Sequence, residues 1–267
     1  MSGSAHTFTC SDGGRLRFEV AGSGEPVVLL HGFGLDLGMW DPQWGVFSEH
    51  YRTIRYDQRG YGSSTLPSGP YSHVDDFLEL TEYLKATPAH VIGLSNGGRL
   101  ALRLVAHRPE AVRSLTLADT AMDGHTWSDE WARRWRAMAA ASATGAPEAK
   151  QQWLQHELFA TTRAKPEAAR ILETIVGRYS GWHFCTQDPG VAPARPSAEI
   201  LATIVAPTLV IVGEHDLPDF HLIGRRIANE MPNAQLTVMP GVGHMPNLED
   251  PLHFNQCVLA HLRRCAG

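Results

Sequence analysis

One serine in the sequence stands in a pattern that could make it a nucleophile. Ser95 is the centre of the pentapeptide GLSNG, which follows the apolar run AHVI and precedes a segment with helical spacing of leucines. A G-x-S-x-G pentapeptide between a strand and a helix is typical of a sharp turn that exposes the serine hydroxyl. Gly93 and Gly97 fit that turn, because its two sides approach too closely for a Cβ atom. We therefore predict that Ser95 attacks a carbonyl carbon; a Gly-Ser loop that only caps a helix is the alternative.

A nucleophilic serine needs a base to take its proton and a carboxylate to orient that base. His244 is the predicted base, because it lies in the glycine-rich segment PGVGHMPN directly after the last strand pattern. Asp216 is the predicted acid, because it ends the segment GEHD after the apolar run TLVIV. Loops that follow parallel strands meet at one edge of a sheet, so we expect both side chains near Ser95.

Other acids and histidines compete for these roles. Asp119 ends the strand pattern SLTLAD and could orient the histidine instead of Asp216. Glu214 and Asp219 are weaker alternatives for the acid. The histidines most easily mistaken for the base are His215, beside the acid, His183, in the segment WHFC, and His31, in the segment HGFG.

The oxyanion that forms on attack requires backbone N–H donors. The loop HGFG directly follows the apolar run VVLL, so its backbone can face the nucleophile. The predicted donors are the N–H groups of Phe33 and Asn96. His31 is interpreted as a residue that stabilises this loop.

Strand and helix patterns alternate over most of the chain, which predicts an α/β fold with a mostly parallel central sheet. The continuously apolar runs VVLL and TLVIV are typical of parallel strands buried on both faces. Strands are predicted at residues 16–19, 27–30, 53–56, 90–93, 114–118, 208–212 and 235–239, and crossover helices at 74–85, 97–107 and 221–231.

The alternation stops at residues 121–196, which hold five of the seven tryptophans. We predict a helical lid there, inserted into a core of residues 1–120 and 197–267, with 188–196 as the returning linker. Trp127, Trp131, Trp135 and Met138 are spaced for one helix face, which either packs on the core or lines a pocket. The predicted substrate-pocket residues are Trp131, Trp135, Trp153, His183 and Met245.

Composition restricts the class of partner. The formal charge of −5 and the pI near 6.3 argue against a nucleic-acid binder, so a small-molecule substrate is expected. The first residues lack the apolar stretch of a signal peptide, and no apolar run is long enough to span a bilayer, so we expect a cytoplasmic protein without a membrane partner. The four cysteines are scattered without a C-x-x-C spacing, which favours reduced thiols over a disulfide or a metal site.

These motifs together resemble the α/β-hydrolase superfamily over nearly the whole chain. The matching segments are VVLLHGFG, RYDQRGYGSS, VIGLSNGGRLAL, PTLVIVGEHD and MPGVGHMPNLEDP. The order Ser95, Asp216, His244 is that of the superfamily's triad. Within the superfamily the chain is most similar to lidded esterases and lactonases, especially the 3-oxoadipate enol-lactonase group. The resemblance implies hydrolysis of an ester or lactone through an acyl-enzyme, without a metal or organic cofactor.

Two alternatives share the fold. A carbon–carbon bond hydrolase of the meta-cleavage type uses the same triad and needs a group that binds a carboxylate. Arg133, Arg134 and Arg136 could supply that group or could form a solvated helix face. A non-enzymatic small-molecule receptor is the second alternative, and turnover separates it from an enzyme.

Overall fold

The computed structural model describes residues 5–266 and contains one eight-stranded sheet in the order β1-β2-β4-β3-β5-β6-β7-β8. The two pairings β1–β2 and β2–β4 are antiparallel, and all pairings from β4 to β8 are parallel. The strands are β1 (His6–Thr9), β2 (Arg15–Ala21), β3 (Pro26–Leu30), β4 (Arg52–Tyr56), β5 (Ala89–Leu94), β6 (Val112–Ala118), β7 (Thr208–Gly213) and β8 (Ala234–Met239).

Helices cover both faces of this sheet. The α-helices are α1 (Asp41–Ser48), α2 (His73–Tyr83), α3 (Asn96–His107), α4 (Asp129–Ser142), α5 (Ala146–Leu154), α6 (Ala160–Arg163), α7 (Pro166–Arg178), α8 (Trp182–Cys185), α9 (Pro218–Glu230), α10 (Pro246–Glu249) and α11 (Pro251–Arg264). None of the described helices is both long and apolar enough to cross a membrane.

The central strands are apolar because both of their faces are covered. Every residue of β5 and of β7 is buried. One core cluster packs Val28, Val91 and Val210 under helices such as α3, and the other packs Val27, Ile92 and Ile211 on the opposite face. Successive residues of each strand thus pack on opposite faces of the sheet, and both faces are covered, which explains why these strands are continuous apolar runs in the sequence.

The predicted α/β-hydrolase fold is confirmed, with differences at the sheet edge and at element ends. All seven predicted strands are present with shifted ends, and the structure adds β1. The segment HTFT of β1 is short and mostly exposed at the edge of the sheet, so it carries no apolar run that would mark a strand.

Residues 121–196 contain α4 to α8, between β6 and β7. The prediction that Trp127 lies on the same helix as Trp131 was wrong. The helix begins at Asp129, because Ser128 caps it by accepting a hydrogen bond from the Trp131 N–H. Trp127 still stacks on Trp131, with ring centroids 4.3 Å apart.

Candidate active site

Ser95 lies at the junction of β5 and α3 in a strained backbone conformation, with φ 56° and ψ −113°. A positive φ is uncommon for a residue with a side chain, and it turns the serine out of the strand line. A Cβ atom on Gly97 would lie 2.2 Å from the carbonyl oxygen of Leu30, and one on Gly93 would lie 2.4 Å from Gly97 C. The two glycines are therefore required by close backbone contacts on both sides of the serine.

His244 and Asp216 form a buried pair at the same edge of the sheet. Asp216 follows β7 and His244 follows β8, and these strands run parallel with Gly213 beside Met239. Nδ1 of His244 lies 2.8 Å from Oδ2 of Asp216. Because a carboxylate only accepts, Nδ1 carries the proton and Nε2 has the lone pair that a base needs. Within residues 5–266, neither Nε2 of His244 nor the Ser95 hydroxyl has a hydrogen-bond partner.

Glu249 holds the loop that carries His244, a role that sequence reasoning missed. Its carboxylate accepts the N–H of Gly243 at 2.7 Å and the N–H of Met245 at 3.3 Å, on either side of the histidine. It also accepts the hydroxyls of Thr161 and Thr162 at 3.0 and 2.7 Å. The position of Glu249 in the segment MPNLEDP was visible in the sequence, but no sequence signal indicated these contacts.

Asp119 lies behind the histidine–aspartate pair. One of its oxygens accepts the N–H of Gly213 at 2.9 Å, and the other is buried without a donor. Burial, and then the charge of Asp216, raises the pKa of Asp119 well above its usual range. A raised pKa on one member is expected for two neighbouring buried carboxyls.

The remaining alternative acids and bases are engaged elsewhere. Glu214 accepts the N–H of Gly241 at 2.8 Å, and Asp219 accepts the Ser128 hydroxyl at 2.6 Å. The side chain of His215 is 55% exposed and lies 3.8 Å from Glu214.

The loop after β3 carries the first predicted oxyanion donor. Within the described chain the N–H of Phe33 has no acceptor. Asn96 is the first residue of α3, where backbone N–H groups lack an intrahelical acceptor. His31 braces the loop: its Nδ1 lies 2.9 Å from the Gly32 oxygen, and its Nε2 accepts the N–H of Gln58 at 2.9 Å.

Asp119, Asp216 and His244 also have the spacing of a metal-binding group. Among the described residues, donor atoms of Asp119, Asp216 and His244 all lie within 4.8 Å of one another. Two of the candidate atoms are engaged in hydrogen bonds: Nδ1 of His244 donates to Asp216, and Oδ1 of Asp119 accepts the Gly213 N–H. This hydrogen-bond pattern suits proton transfer.

A cavity of about 270 Å³ adjoins the two oxyanion residues. Phe33 and Asn96 form part of its wall, together with His183 from the predicted pocket set. Burial lowers the pKa of His183 to about 4, so its ring is neutral at pH 7. Arg99, one turn after Asn96 on α3, also lines the cavity. The sequence analysis did not identify it, because an arginine in a helix is usually on a solvent-exposed face.

The other predicted pocket residues lie outside this cavity wall. Trp135 and Trp153 pack edge-on against Phe33, with ring centroids 5.8 and 5.5 Å from it. Trp131 contacts Phe220, whose ring lies 4.4 Å from that of His244. The side chain of Met245 is fully buried in the core.

The arginines of α4 are not part of the cavity wall. Arg133 is 60% exposed and pairs with Glu130 one helical turn before it. Arg134 pairs with Glu130 and Glu157, and Arg136 is exposed. These contacts agree with a solvated helix face.

The chain is similar to known hydrolases over most of its length. The α/β hydrolase fold family matches residues 25–251. 3-Oxoadipate enol-lactonase 2 of Acinetobacter baylyi is 28% identical over 245 residues, which cover 89% of this chain and 88% of that protein. A pimeloyl-(acyl-carrier protein) methyl ester esterase of Chromobacterium violaceum is 30% identical over 253 residues, which cover 91% of this chain and 96% of that protein.

Solved structures extend the similarity to three dimensions. The enol-lactonase of Burkholderia xenovorans superposes with a TM-score of 0.78 at 27% identity, covering 97% of this chain and all of that chain (100%). The protein therefore belongs to the α/β-hydrolase fold family, and its relatives include proteins named as esterases and lactonases.

Proposed function

We propose that this protein hydrolyses a carboxylic ester or lactone of a small molecule through an acyl-enzyme on Ser95. The observation that carries the proposal is the 2.8 Å contact between His244 Nδ1 and Asp216 Oδ2 at the sheet edge where the strained turn holds Ser95. The esterases and lactonases among the relatives support the same reaction class.

In the proposed first half-reaction, Nε2 of His244 takes the proton of the Ser95 hydroxyl as Oγ bonds to the carbonyl carbon. The carbonyl oxygen becomes an oxyanion that accepts the N–H groups of Phe33 and Asn96. Asp216 stabilises the imidazolium. When the tetrahedral intermediate collapses, the bond to the alcohol oxygen breaks and that oxygen takes the proton from His244.

In the second half-reaction, water replaces the alcohol. His244 takes a proton from the water as its oxygen attacks the acyl carbon, and the same two N–H groups hold the new oxyanion. Collapse breaks the bond to Ser95 Oγ, which recovers its proton from His244. The products are the carboxylic acid and the free enzyme.

Residues 121–196 are proposed to act as a lid over this edge. The contacts of Phe33 with Trp135 and Trp153 support that role, because Phe33 is also a proposed oxyanion donor. Movement of these rings would change access to Ser95.

Ser95→Ala tests the nucleophile. Removing the hydroxyl is expected to reduce kcat for a short p-nitrophenyl ester by about 10⁶-fold, as expected when a triad nucleophile is removed. A fluorophosphonate should label wild type and leave Ser95→Ala unlabelled, while circular dichroism shows that both are folded. Full activity of Ser95→Ala would overturn the proposal.

A substrate panel separates the alternatives. Esters, lactones and ring-fission diketones are offered to wild type, and the reaction class follows from which are turned over repeatedly. Turnover of the diketones alone would favour the carbon–carbon bond hydrolase. Binding without turnover would favour the receptor.

A further inference from the structure

Two threonines of the inserted segment, residues 121–196, contact the loop of His244 through one buried carboxylate. The hydroxyls of Thr161 and Thr162 lie 3.0 and 2.7 Å from Oε1 of Glu249. The same carboxylate accepts the N–H groups on either side of His244. Thr162 is fully buried, and only 7% of Glu249 is exposed, so little water competes for these hydrogen bonds.

The loop of the proposed base also contacts the inserted segment directly. A Cβ atom on Gly243 would lie 2.1 Å from Oγ1 of Thr161, so this hydroxyl packs closely against the loop backbone. The ammonium group of Lys165 donates to the carbonyl oxygens of Gly241 and Glu249, at 3.2 and 2.9 Å. The inserted segment therefore holds the loop at both of its ends.

The loop requires such support because its own backbone has unusual freedom. Gly241 and Gly243 are two of the three residues before His244, and glycine restricts the backbone less than any other residue. Asp216 fixes only the Nδ1 side of the imidazole, at 2.8 Å. The position of Nε2 relative to Ser95 therefore also depends on where the loop backbone is held.

We propose that Thr161 and Thr162 are positioning residues for catalysis: through Glu249 they hold Nε2 of His244 where it can take the proton of Ser95. This inference rests on the proposed function, in which His244 is the base. Neither threonine nor Glu249 is part of the wall of the 270 Å³ cavity. Their effect should therefore fall on the chemical step and not on substrate binding.

The test removes both hydroxyls in Thr161→Val with Thr162→Val, because valine has nearly the shape of threonine and no hydrogen-bond donor. This double valine variant is expected to lower kcat for a short p-nitrophenyl ester by about ten- to a hundredfold, since a displacement of about 1 Å has effects of that size. KM should stay unchanged. Thr161→Ser with Thr162→Ser keeps the donors and should restore most of kcat. Wild-type kcat in the double valine variant, or a rise in KM alone, would overturn the inference.

The matched control is Thr174→Val, which removes an exposed hydroxyl of α7 that donates to the Arg170 carbonyl oxygen at 2.7 Å. It should leave kcat unchanged. Urea unfolding of each variant sets a temperature at which all are folded, so that a loss of stability is not mistaken for a loss of kcat. Thr161→Val alone, at the less buried of the two positions, serves if the double valine variant does not fold.

A double-mutant cycle tests whether the hydroxyls act through Glu249. The N–H groups of Gly243 and Met245 bind different oxygens of this carboxylate, so Glu249→Gln must turn its NH₂ group toward one of these two donors. Glu249→Gln should therefore lower kcat. Adding Thr162→Val should then cost less than it does in wild type, because residues of one network are not additive. Losses that multiply independently would overturn the inference.

A spectroscopic readout keeps the inference separate from the proposed function. The Nδ1 proton of His244 lies in a charge-assisted hydrogen bond to Asp216, which places its NMR signal at low field. This signal should shift or broaden in the double valine variant and stay as in wild type in the control. If no ester is hydrolysed and a fluorophosphonate does not label Ser95, the proposed function fails, and the NMR signal still decides whether the threonines position His244. An unchanged signal would reject that role.

Discussion

Different interactions stabilise the sheet edge, where the proposed catalytic residues lie, and the inserted helices of residues 121–196. At the edge, backbone contacts dominate: the Ser95 N–H donates to the Ala118 oxygen at 2.9 Å, and the Asp119 N–H donates to the Ile211 oxygen at 2.8 Å. In residues 121–196, aromatic rings dominate, as in the stack of Trp135 on Trp153 at 6.1 Å. Close backbone contacts leave little room for a larger side chain, whereas packed rings tolerate substitution by apolar side chains of similar volume.

Glu249 joins the two regions. It binds the N–H groups around His244 on the edge and the hydroxyls of Thr161 and Thr162 on the inserted segment. A shift of α6 would therefore move the carboxylate that holds the loop of His244. The inserted segment and the proposed base are coupled at this residue.

Gly97→Ala tests the difference in tolerance between the two regions. The new Cβ would lie 2.2 Å from the backbone oxygen of Leu30 and 2.8 Å from that of His31, so the turn or the oxyanion loop must move. We expect the free energy of unfolding to fall by about 3 kcal/mol or more. We also expect kcat/KM for an ester to fall at least about a hundredfold, since small displacements of reacting groups have effects of that size.

Gly177→Ala is the matched control in the inserted helices. Gly177 is the penultimate residue of α7, and a Cβ there would meet no atom within 4 Å. Alanine in this last helical turn is expected to raise the free energy of unfolding by up to about 1 kcal/mol with activity retained. Urea unfolding and ester hydrolysis measure both variants. Equal damage from the two substitutions would contradict the contrast between the regions.

Asp119→Asn distinguishes the role of Asp119 from that of Asp216, the other buried carboxyl at the sheet edge. The raised pKa of Asp119 means that folding takes up a proton wherever the unfolded carboxyl is ionised. Stability from this group is present below its unfolded pKa and is lost as pH rises toward the folded pKa. Asparagine has no such dependence and can still accept the Gly213 N–H. The variant should therefore gain stability over wild type from pH 5 to pH 8, by up to about 1.4 kcal/mol per pH unit.

Activity gives the second readout for this pair. Asp119→Asn is expected to keep kcat within about tenfold of wild type, because His244 binds Asp216. Asp216→Asn should reduce kcat by about 10⁴-fold, as expected when the histidine loses its orienting carboxylate. The opposite ranking would make Asp119 the acid, and thermal unfolding curves that run parallel with pH would contradict the neutral state of Asp119.

The sequence predicted the parts of the molecule that backbone geometry specifies. Gly93 and Gly97 could be interpreted from sterics alone, and the apolar runs located the strands that end beside Asp216 and His244. Roles that depend on distant partners were not visible. The role of Glu249 depends on where the fold places Thr161 and Thr162, which are far from it in the chain.

Local capping also limited the prediction. The spacing of Trp127 and Trp131 fits a helix, but the hydroxyl of Ser128 between them starts the helix at Asp129, two residues after Trp127. The sequence SDE at 128–130 contains a capping serine followed by acids, which is a helix-start signal. The capping signal at Ser128 therefore indicates the start of α4 better than the spacing of the tryptophans does.

His183→Phe sharpens the comparison from the side of the inserted segment. The His183 ring stacks on Tyr61 at 4.1 Å, and only 4% of the side chain is exposed. Burial lowers its pKa from 6.5 to about 4. Its contribution to stability is complete above pH 6.5 and is lost as pH falls to about 4, because the unfolded imidazole binds a proton first. The loss amounts to up to about 3 kcal/mol.

Phenylalanine keeps a stacking ring and removes the titration, so the decrease in melting temperature between pH 7.5 and pH 4.5 should be shallower in His183→Phe than in wild type. His156 and His261, whose pKa values burial also lowers to about 4, leave part of the acid sensitivity in place. His215→Phe is the control, because that side chain is 55% exposed and hydrated in both states. If His183→Phe follows the wild-type curve and only its absolute stability changes, the ring contributes by packing and by its hydrogen bond with the Tyr179 hydroxyl, and the acid sensitivity must come from other buried histidines, such as His73.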